Sequence, residues 1–165
     1  MTQKTLFIDY DLCFGCHACE IACKQENELP VGPQWIKVIT VGPRKINGKL
    51  VMDFVPMTCM HCIDAPCATA CPVGAITKRE DGIVLLSPGL CIGCLACLLV
   101  CPFGALQFNP QRNTIAKCSL CQHRLDKGLK PACVQACPAG AIYFGDINEI
   151  TDKIRQRRAP LLTTK

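Results

Sequence analysis

Four cysteines followed by a proline stand close together in the middle of the chain: Cys91, Cys94, Cys97, Cys101 and Pro102. Thiolates are the usual ligands of iron–sulfur clusters, and cysteine spacings of two, two and three residues before a proline are typical of a 4Fe–4S cluster. Three thiolates on one tight loop can bind three corners of a cubane, whereas the fourth binds the other cluster of a pair. Because proline lacks an N–H and has a fixed φ, it ends the local helix.

All sixteen cysteines of the 165-residue chain fall into four groups of four. Group one is Cys13, Cys16, Cys19, Cys23; group two is Cys59, Cys62, Cys67, Cys71; group three is Cys91, Cys94, Cys97, Cys101; group four is Cys118, Cys121, Cys133, Cys137. Sixteen thiolate ligands in this arrangement predict four 4Fe–4S clusters.

One hexapeptide occurs three times in the chain, at residues 71–76, 101–106 and 137–142. In each copy Cys-Pro ends a short helix, a glycine permits a turn, and Ala-Ile or Ala-Leu begins a strand. Group one breaks the pattern, because Lys24 and not proline follows Cys23.

Disulfides and zinc are the alternative uses of so many cysteines. The N-terminal residues contain no apolar run long enough for a signal peptide, so the oxidising compartment that disulfides require is not indicated. Zinc is the stronger alternative for group four, whose spacing alone also suits a four-cysteine zinc site. Three iron–sulfur runs in the same chain favour iron in group four as well.

Composition limits what the remaining residues can do. Aromatic residues make up only 5% of the chain, so we expect the clusters to supply much of the interior and the metal-free chain to be largely unfolded. The formal charge of +5 falls to about −3 once four clusters, each with a net charge of 2− including its thiolates, are counted. The basic pI therefore does not indicate nucleic-acid binding, and no apolar run is long enough for direct membrane insertion.

Alternating residues between groups one and two predict a β-hairpin. Residues 35–41 and 50–55 alternate as strands do, and Asn47-Gly48 is a strong turn signal. Further strands are expected at residues 83–86 and 142–144. Residues 151–165 are basic and predict a fraying helix or a tail, in which Lys153, Arg155, Arg157, Arg158 and Lys165 either dock an acidic partner or are merely solvated. The predicted fold class is α+β, ferredoxin-like and duplicated.

Short motifs around the cysteines carry a resemblance to a known family. They are Cys59-Met60-His61-Cys62, Pro66-Cys67, Cys71-Pro72, Lys117-Cys118-Ser119-Leu120-Cys121, Pro131-Ala132-Cys133 and Cys137-Pro138. With the eleven residues between Cys121 and Cys133, they resemble the iron–sulfur subunits of the molybdenum- and tungsten-pterin oxidoreductases, of the dimethyl-sulfoxide-reductase electron-transfer type. The likeness covers about residues 6–146.

The resemblance implies how the groups share ligands. In that family groups one and four pair, groups two and three pair, and each group lends its last cysteine to its partner's cluster. The implied ligand sets are set A, Cys13, Cys16, Cys19 and Cys137; set B, Cys118, Cys121, Cys133 and Cys23; set C, Cys59, Cys62, Cys67 and Cys101; and set D, Cys91, Cys94, Cys97 and Cys71. Since every ligand is cysteine, no 3Fe–4S centre is expected.

The same resemblance implies two ferredoxin-like dicluster modules, one inserted in the other, with the clusters in a row. The outer module comprises residues 1–34 and 113–150, the hairpin residues 35–55, the inserted module residues 56–112, and the tail residues 151–165.

Nothing in the sequence indicates catalysis by this chain alone. The resemblance implies a different function. The expected role is electron transfer between a molybdenum- or tungsten-pterin catalytic subunit and another redox subunit, a flavin-bearing one among the candidates. The chain is similar to the short forms that serve tungsten aldehyde oxidoreductases or formate dehydrogenases. The alternatives are a free-standing polyferredoxin and an end-to-end assembly of copies. The expected compartment is the cytoplasm, and export with a signal-bearing partner stays open.

Two roles are open for polar residues beside the cysteines. His17, His61 and His123 either bind iron or form hydrogen bonds near a cluster, and we expect the second because cysteines already fill every site. Lys24 and Lys117 either raise the potential of an adjacent cluster or are solvated at the surface.

Two glycines and the single tryptophan are also singled out. Gly15 and Gly93 lie inside binding loops, where the missing side chain lets backbone N–H groups approach sulfur, or they are ordinary turn glycines. Trp35 either anchors a partner or packs in the core.

Overall fold

The computed structural model describes residues 3–163, which form short helices and short antiparallel strands. The strands are β1 (Lys4–Ile8), β2 (Ile36–Ile46), β3 (Lys49–Thr58), β4 (Ile76–Lys78), β5 (Val84–Leu86), β6 (Leu106–Asn109), β7 (Thr114–Lys117) and β8 (Ile142–Asp146). The helices are α1 (Ala18–Glu26), α2 (Pro66–Thr69), α3 (Ala96–Val100), α4 (Gln122–Leu125), α5 (Ala132–Gln135) and α6 (Ile147–Thr163), with 3₁₀ turns at Tyr10–Leu12 and Pro88–Leu90.

The strands pair two by two, and one pair joins the two ends of the chain. Strands β1 and β8 are antiparallel, with Lys4 opposite Asp146 and Ile8 opposite Ile142. Strands β2 and β3, β4 and β5, and β6 and β7 form the other three pairs. Because β1 precedes group one and β8 follows group four, their pairing brings these two groups together. Helices α1 and α5, which carry cysteines of the same two groups, also contact each other.

The hexapeptide repeat folds as predicted in all three copies. Helices α2, α3 and α5 precede the copies, and strands β4, β6 and β8 follow. Gly74, Gly104 and Gly140 have φ of +62°, +58° and +60°, a left-handed conformation that glycine adopts without a Cβ penalty. In group one, which lacks the proline, α1 continues through Cys19 and Cys23 as far as Glu26.

The predicted hairpin is present and longer than expected. Strand β2 runs to Ile46 and β3 to Thr58, whereas residues 35–41 and 50–55 were expected. Asn47 and Gly48 form the turn with φ of +49° and +79°, the positive values that a tight two-residue hairpin requires. Ile36 and Val38 at the base are buried, while the tip is exposed.

The basic C-terminal residues form a helix and not an irregular tail. Helix α6 begins at Ile147, earlier than expected, and residues 164–165, including Lys165, lie outside the described residues. Arg157 forms an ion pair with Asp9, and Arg158 lies 3.1 Å from Asp11. These two arginines are therefore used within the chain, in part against the 3₁₀ turn that precedes Cys13.

The buried core is thin and includes many of the cysteines. One core cluster joins Ile8, Ile36 and Val38 to Cys19, Cys23 and Cys133. A second joins Ile76, Val84, Leu106 and Ile115 to Cys67 and Cys97. A small third cluster consists of Cys59, Ala105 and Cys118. The architecture is mixed helix and strand, as predicted, with side chains of candidate ligands forming part of every core cluster.

Candidate iron–sulfur centres

Three small cavities are each lined by four cysteines. One is lined by Cys23, Cys118, Cys121 and Cys133. Another is lined by Cys59, Cys62, Cys67 and Cys101. The third is lined by Cys71, Cys91, Cys94 and Cys97. Each cavity combines three cysteines of one group with one of another, and the three combinations are those of sets B, C and D.

The cysteines of set A lie on the loop before α1, in α1 and just after α5. Cys13 and Cys16 belong to the loop before α1, and Cys19 lies in the first turn of that helix. Cys19 is buried and Cys16 is exposed. Cys137 packs against the core cluster that contains Cys19, because α5 contacts α1.

Burial and mutual repulsion raise the pKa of several of the buried thiols at these sites. Burial, followed by the charges of Glu20, Cys13 and Cys16, raises the pKa of Cys19 to about 12. Burial, followed by the charge of Cys59, raises the pKa of Cys118 to about 11. The pKa of Cys133 is also raised, first by burial and then by Cys118 and Cys121. Because cluster iron binds the thiolate, cluster binding at these positions displaces protons.

Backbone N–H groups donate to the last cysteine of group two and to that of group four. Ala75 N donates to Cys71 Sγ at 3.2 Å, and Ala141 N donates to Cys137 Sγ at 3.3 Å. Burial raises the pKa of Cys71, but its backbone N–H donors outweigh that effect and the pKa is lowered. N–H···S bonds of this kind stabilise negative charge on sulfur and tune cluster potentials. The side-chain amide of Asn27 likewise donates to a sulfur, Cys23 Sγ, at 3.7 Å.

Gly15 and Gly93 have a steric reason to be glycine. Their φ values are +74° and +68°. A Cβ on Gly15 would lie 2.4 Å from the Phe54 ring, and one on Gly93 would lie 2.8 Å from Asn113 O. The two binding loops thus pack closely against β3 and against the β6–β7 turn.

The three histidines are held by hydrogen bonds or ion pairs. His17 Nδ1 lies 3.2 Å from Glu20 Oε2, and His123 Nε2 lies 2.7 Å from Glu26 Oε1. His61 is buried, and its Nδ1 accepts from Val84 N at 3.0 Å. Burial, followed by the charge of Lys117, lowers the pKa of His61 to about 3, so this imidazole is neutral.

The two lysines beside cysteines differ in environment. Lys24 is half-buried and its ammonium donates to Pro30 O at 2.9 Å. Lys117 is only 3% exposed, and its ammonium donates to Cys118 O at 2.7 Å and to Val84 O. Of the two roles left open for Lys117, the burial of its side chain excludes that of a solvated surface lysine. No local signal in the sequence indicates its burial, since β7 is short and Val84 lies far away along the chain.

One buried donor fits a bound cluster. Trp35 Nε1 is buried without a hydrogen-bond partner in the described residues. Trp35 packs in the core and also lines the cavity of set B. A cluster contains sulfur acceptors, so its presence in the cavity offers a partner to an indole N–H. Of the two roles considered for Trp35, the structure shows packing in the core.

The sets follow one another in space. Cys19 of set A and Cys23 of set B share one core cluster, Cys59 of set C and Cys118 of set B share another, and Cys67 of set C and Cys97 of set D share the third. The order is A, B, C, D. Cys16 and Cys94, one in each outer set, are exposed to solvent.

Comparison with known proteins identifies the class. Residues 50–147 match the family model of a 4Fe–4S dicluster domain, and residues 12–75 match a second model of that description. Group four lies inside the first match, which favours iron over zinc there. The two matches overlap over residues 50–75, so they do not test the predicted boundaries of the two modules.

Curated relatives are similar over nearly the whole chain. The B subunit of the anaerobic dimethyl sulfoxide reductase of Escherichia coli K12 is 37% identical, over 92% of this chain and 78% of its own length. The B subunit of the polysulfide reductase of Wolinella succinogenes is 39% identical over 90% and 78%, and the thiosulfate reductase electron transfer subunit of Salmonella typhi is 40% identical over 89% and 78%.

These findings define an iron–sulfur electron-transfer protein with four 4Fe–4S clusters. The chain belongs to the 4Fe–4S dicluster family, and within it to the iron–sulfur subunits of the dimethyl-sulfoxide-reductase type. Within residues 3–163, no helix is both long and apolar enough to cross a membrane.

Proposed function

We propose that this chain conducts electrons along a row of four clusters between a molybdenum- or tungsten-pterin catalytic subunit and a second redox subunit. The observation that carries the proposal is the order A, B, C, D, with an exposed cysteine in each outer set. The inner sets include the buried cysteines Cys59 and Cys118. An electron can therefore enter at one end and leave at the other, while the middle of the row is shielded from solvent.

Exposed apolar side chains surround both ends of the row. Near set A, Phe14 is 58% and Ile21 is 60% exposed. Near set D, Ile92 is 65% and Leu99 is 88% exposed, and residues 83–111 contain no charged side chain. Apolar patches of this kind are typical of protein interfaces. They favour a subunit with a partner at each end over a free-standing polyferredoxin, which needs a soluble surface around its clusters.

The catalytic partner is proposed from the relatives, whose names are those of reductases of dimethyl sulfoxide, polysulfide and thiosulfate. Three narrower proposals are that the catalytic partner is a tungsten aldehyde oxidoreductase, that the second partner carries a flavin, and that copies associate end to end. Analysis of the natively purified complex can test all three. A cytoplasmic location is also proposed, and it is supported by the sixteen cysteines, since thiols are kept reduced in that compartment.

The ligand sets A to D are part of the proposal, as is an outer module of groups one and four around an inserted module of groups two and three. Support comes from the three four-cysteine cavities and from the pairing of β1 with β8.

Metal analysis of the natively purified complex, kept anaerobic, tests the function. We expect about sixteen irons per copy of this chain, negligible zinc, and molybdenum or tungsten in the same complex. Iron without either heavy metal and without a stable partner would favour the free carrier. Zinc in place of a quarter of the iron would contradict the fourth cluster.

Paired cysteine substitutions test the ligand sets. Cys71→Ser and Cys94→Ser alter the same set, so the double variant should lose no more clusters than either single variant. Cys71→Ser and Cys67→Ser belong to one sequence group but to different sets, so this double variant should damage two clusters. Iron content and the spin count after reduction give the number. The opposite pattern would show that clusters are bound within sequence groups.

A further inference from the structure

A buried positive charge lies between the two inner ligand sets. Lys117 ends β7 immediately before Cys118 of set B, and its side chain is almost fully buried. Lysine is rarely buried without a charged partner. In the described part of the chain, the hydrogen bonds of the Lys117 ammonium go to carbonyl oxygens, those of Cys118 and Val84. These acceptors are neutral, so they satisfy the donors without cancelling the charge.

The same ammonium is connected to the loop that carries set C. Val84 accepts from Lys117 through its carbonyl and donates through its N–H to His61 Nδ1. His61 lies between Cys59 and Cys62 in the sequence. Strand β5 thus joins the first cysteine of group four to the first loop of group two.

The ammonium lies beside both cavities. Val84, which accepts from Lys117, lines the cavity of set C, and Cys118, the other acceptor, lines the cavity of set B. Cys59 of set C and Cys118 of set B also belong to one core cluster. A positive charge at this place is therefore close to whatever both sets of sulfurs bind.

We propose that Lys117 is a shared tuning residue that raises the reduction potentials of the two inner clusters. Reduction adds one electron to a cluster from its donor and makes the cluster and its thiolates more negative by one charge. A fixed ammonium nearby, in an interior of low dielectric constant, stabilises the reduced state more than the oxidised state. The inference rests on the proposed ligand sets B and C.

Redox titration of the whole complex, followed by EPR, tests this role. Lys117→Met removes the charge and keeps most of the apolar stem, whereas Lys117→Gln also keeps a donor for one carbonyl. Lys117→Arg retains the charge. Lys24→Met is the matched control, because Lys24 also adjoins a cysteine of set B but is half-buried and bonded to Pro30 O.

The expected result is that two of the four midpoint potentials become more negative in both neutral variants, with about sixteen irons still bound. Lys117→Arg should stay close to the wild type, and Lys24→Met should shift less. The two shifted signals should belong to clusters that are magnetically coupled to each other.

Unchanged potentials, or equal shifts in all four clusters, would overturn the proposal. Loss of iron in both neutral variants would do so too, since it would assign Lys117 a purely structural role. Iron content of the wild type tests the four-cluster function separately, so the two failures are distinguishable.

Discussion

The glycines of the binding loops show how single residues determine the ligand geometry. Gly93 lies between Cys91 and Cys94 in a left-handed conformation, and a side chain there would meet the backbone of Asn113. Gly104 in the repeat has a similar φ but open space where its Cβ would be. The two positions therefore share the conformational requirement and differ only in the steric one.

Substitution of Gly93 by alanine should remove the set D cluster in a large fraction of molecules. The left-handed conformation costs a non-glycine residue about 1–2 kcal/mol, and the clash with Asn113 O adds to this cost. Gly104→Ala carries the first cost alone and serves as the control. We expect iron to fall by up to about a quarter in Gly93→Ala and to stay near sixteen in Gly104→Ala. Equal iron in the two variants would show that the close approach to Asn113 is unimportant.

Helix α6 forms two ion pairs with residues that precede Cys13, the first cysteine of group one. Asp9 is 3% exposed and pairs with Arg157 of this helix. The pair of Asp11 and Arg158 is exposed on both sides. Ile150 on the same helix is buried, so α6 is part of the fold and not a free tail.

Arg157→Ala should destabilise the cluster-loaded protein by about 2 kcal/mol, because the Asp9 carboxylate is left buried without its cation. The matched change Arg158→Ala should cost less than about 1 kcal/mol, as exposed pairs do. Anaerobic guanidinium unfolding, followed by visible absorbance of the clusters, measures both. A loss for Arg158→Ala as large as that for Arg157→Ala would show that the burial of Asp9 does not determine the cost of losing the pair.

Across the whole molecule, cysteine side chains form part of the buried core. Each of the three core clusters includes at least two cysteines from the proposed sets. Few large side chains are fully buried, among them Ile83, Leu106, Ile115 and Leu120. Without iron, the four-thiol cavities would expose apolar walls to solvent.

Removal of iron from the purified protein by an oxidant and a chelator should therefore unfold most of the chain. Metal binding and folding are coupled wherever the ligands form the core. We expect the dispersion of amide NMR signals to collapse and the cooperative unfolding transition to disappear. A metal-free chain that kept a sharp thermal transition would contradict this view of the core.

The type of metal centre can be predicted from the sequence, because ligand spacing is a local property. Four groups of four cysteines, the Cys-Pro-x-Gly turn of the repeat, and the Asn47-Gly48 hairpin are each encoded within a few neighbouring residues. For the same reason the hairpin and the three helix–turn–strand units were predicted, with errors mainly in their ends. The pairing of groups came only from a family resemblance, since no local signal links residues a hundred positions apart.

Which side chains are buried, and which residues they contact, depends on how the distant segments pack together. Strand β1 was not predicted, because it is recognised as a strand only by its pairing with β8, which lies far away along the chain. In the sequence Lys117 resembles a surface lysine, and its burial results from the packing of β5 against it. Arg157 likewise resembles a solvated residue, and its pairing with Asp9 results from the packing of α6. Burial and charge pairing depend on contacts between distant segments. The cluster type is therefore determined by the spacing of the cysteines, whereas the electrostatic environment of each cluster arises from the way the segments pack.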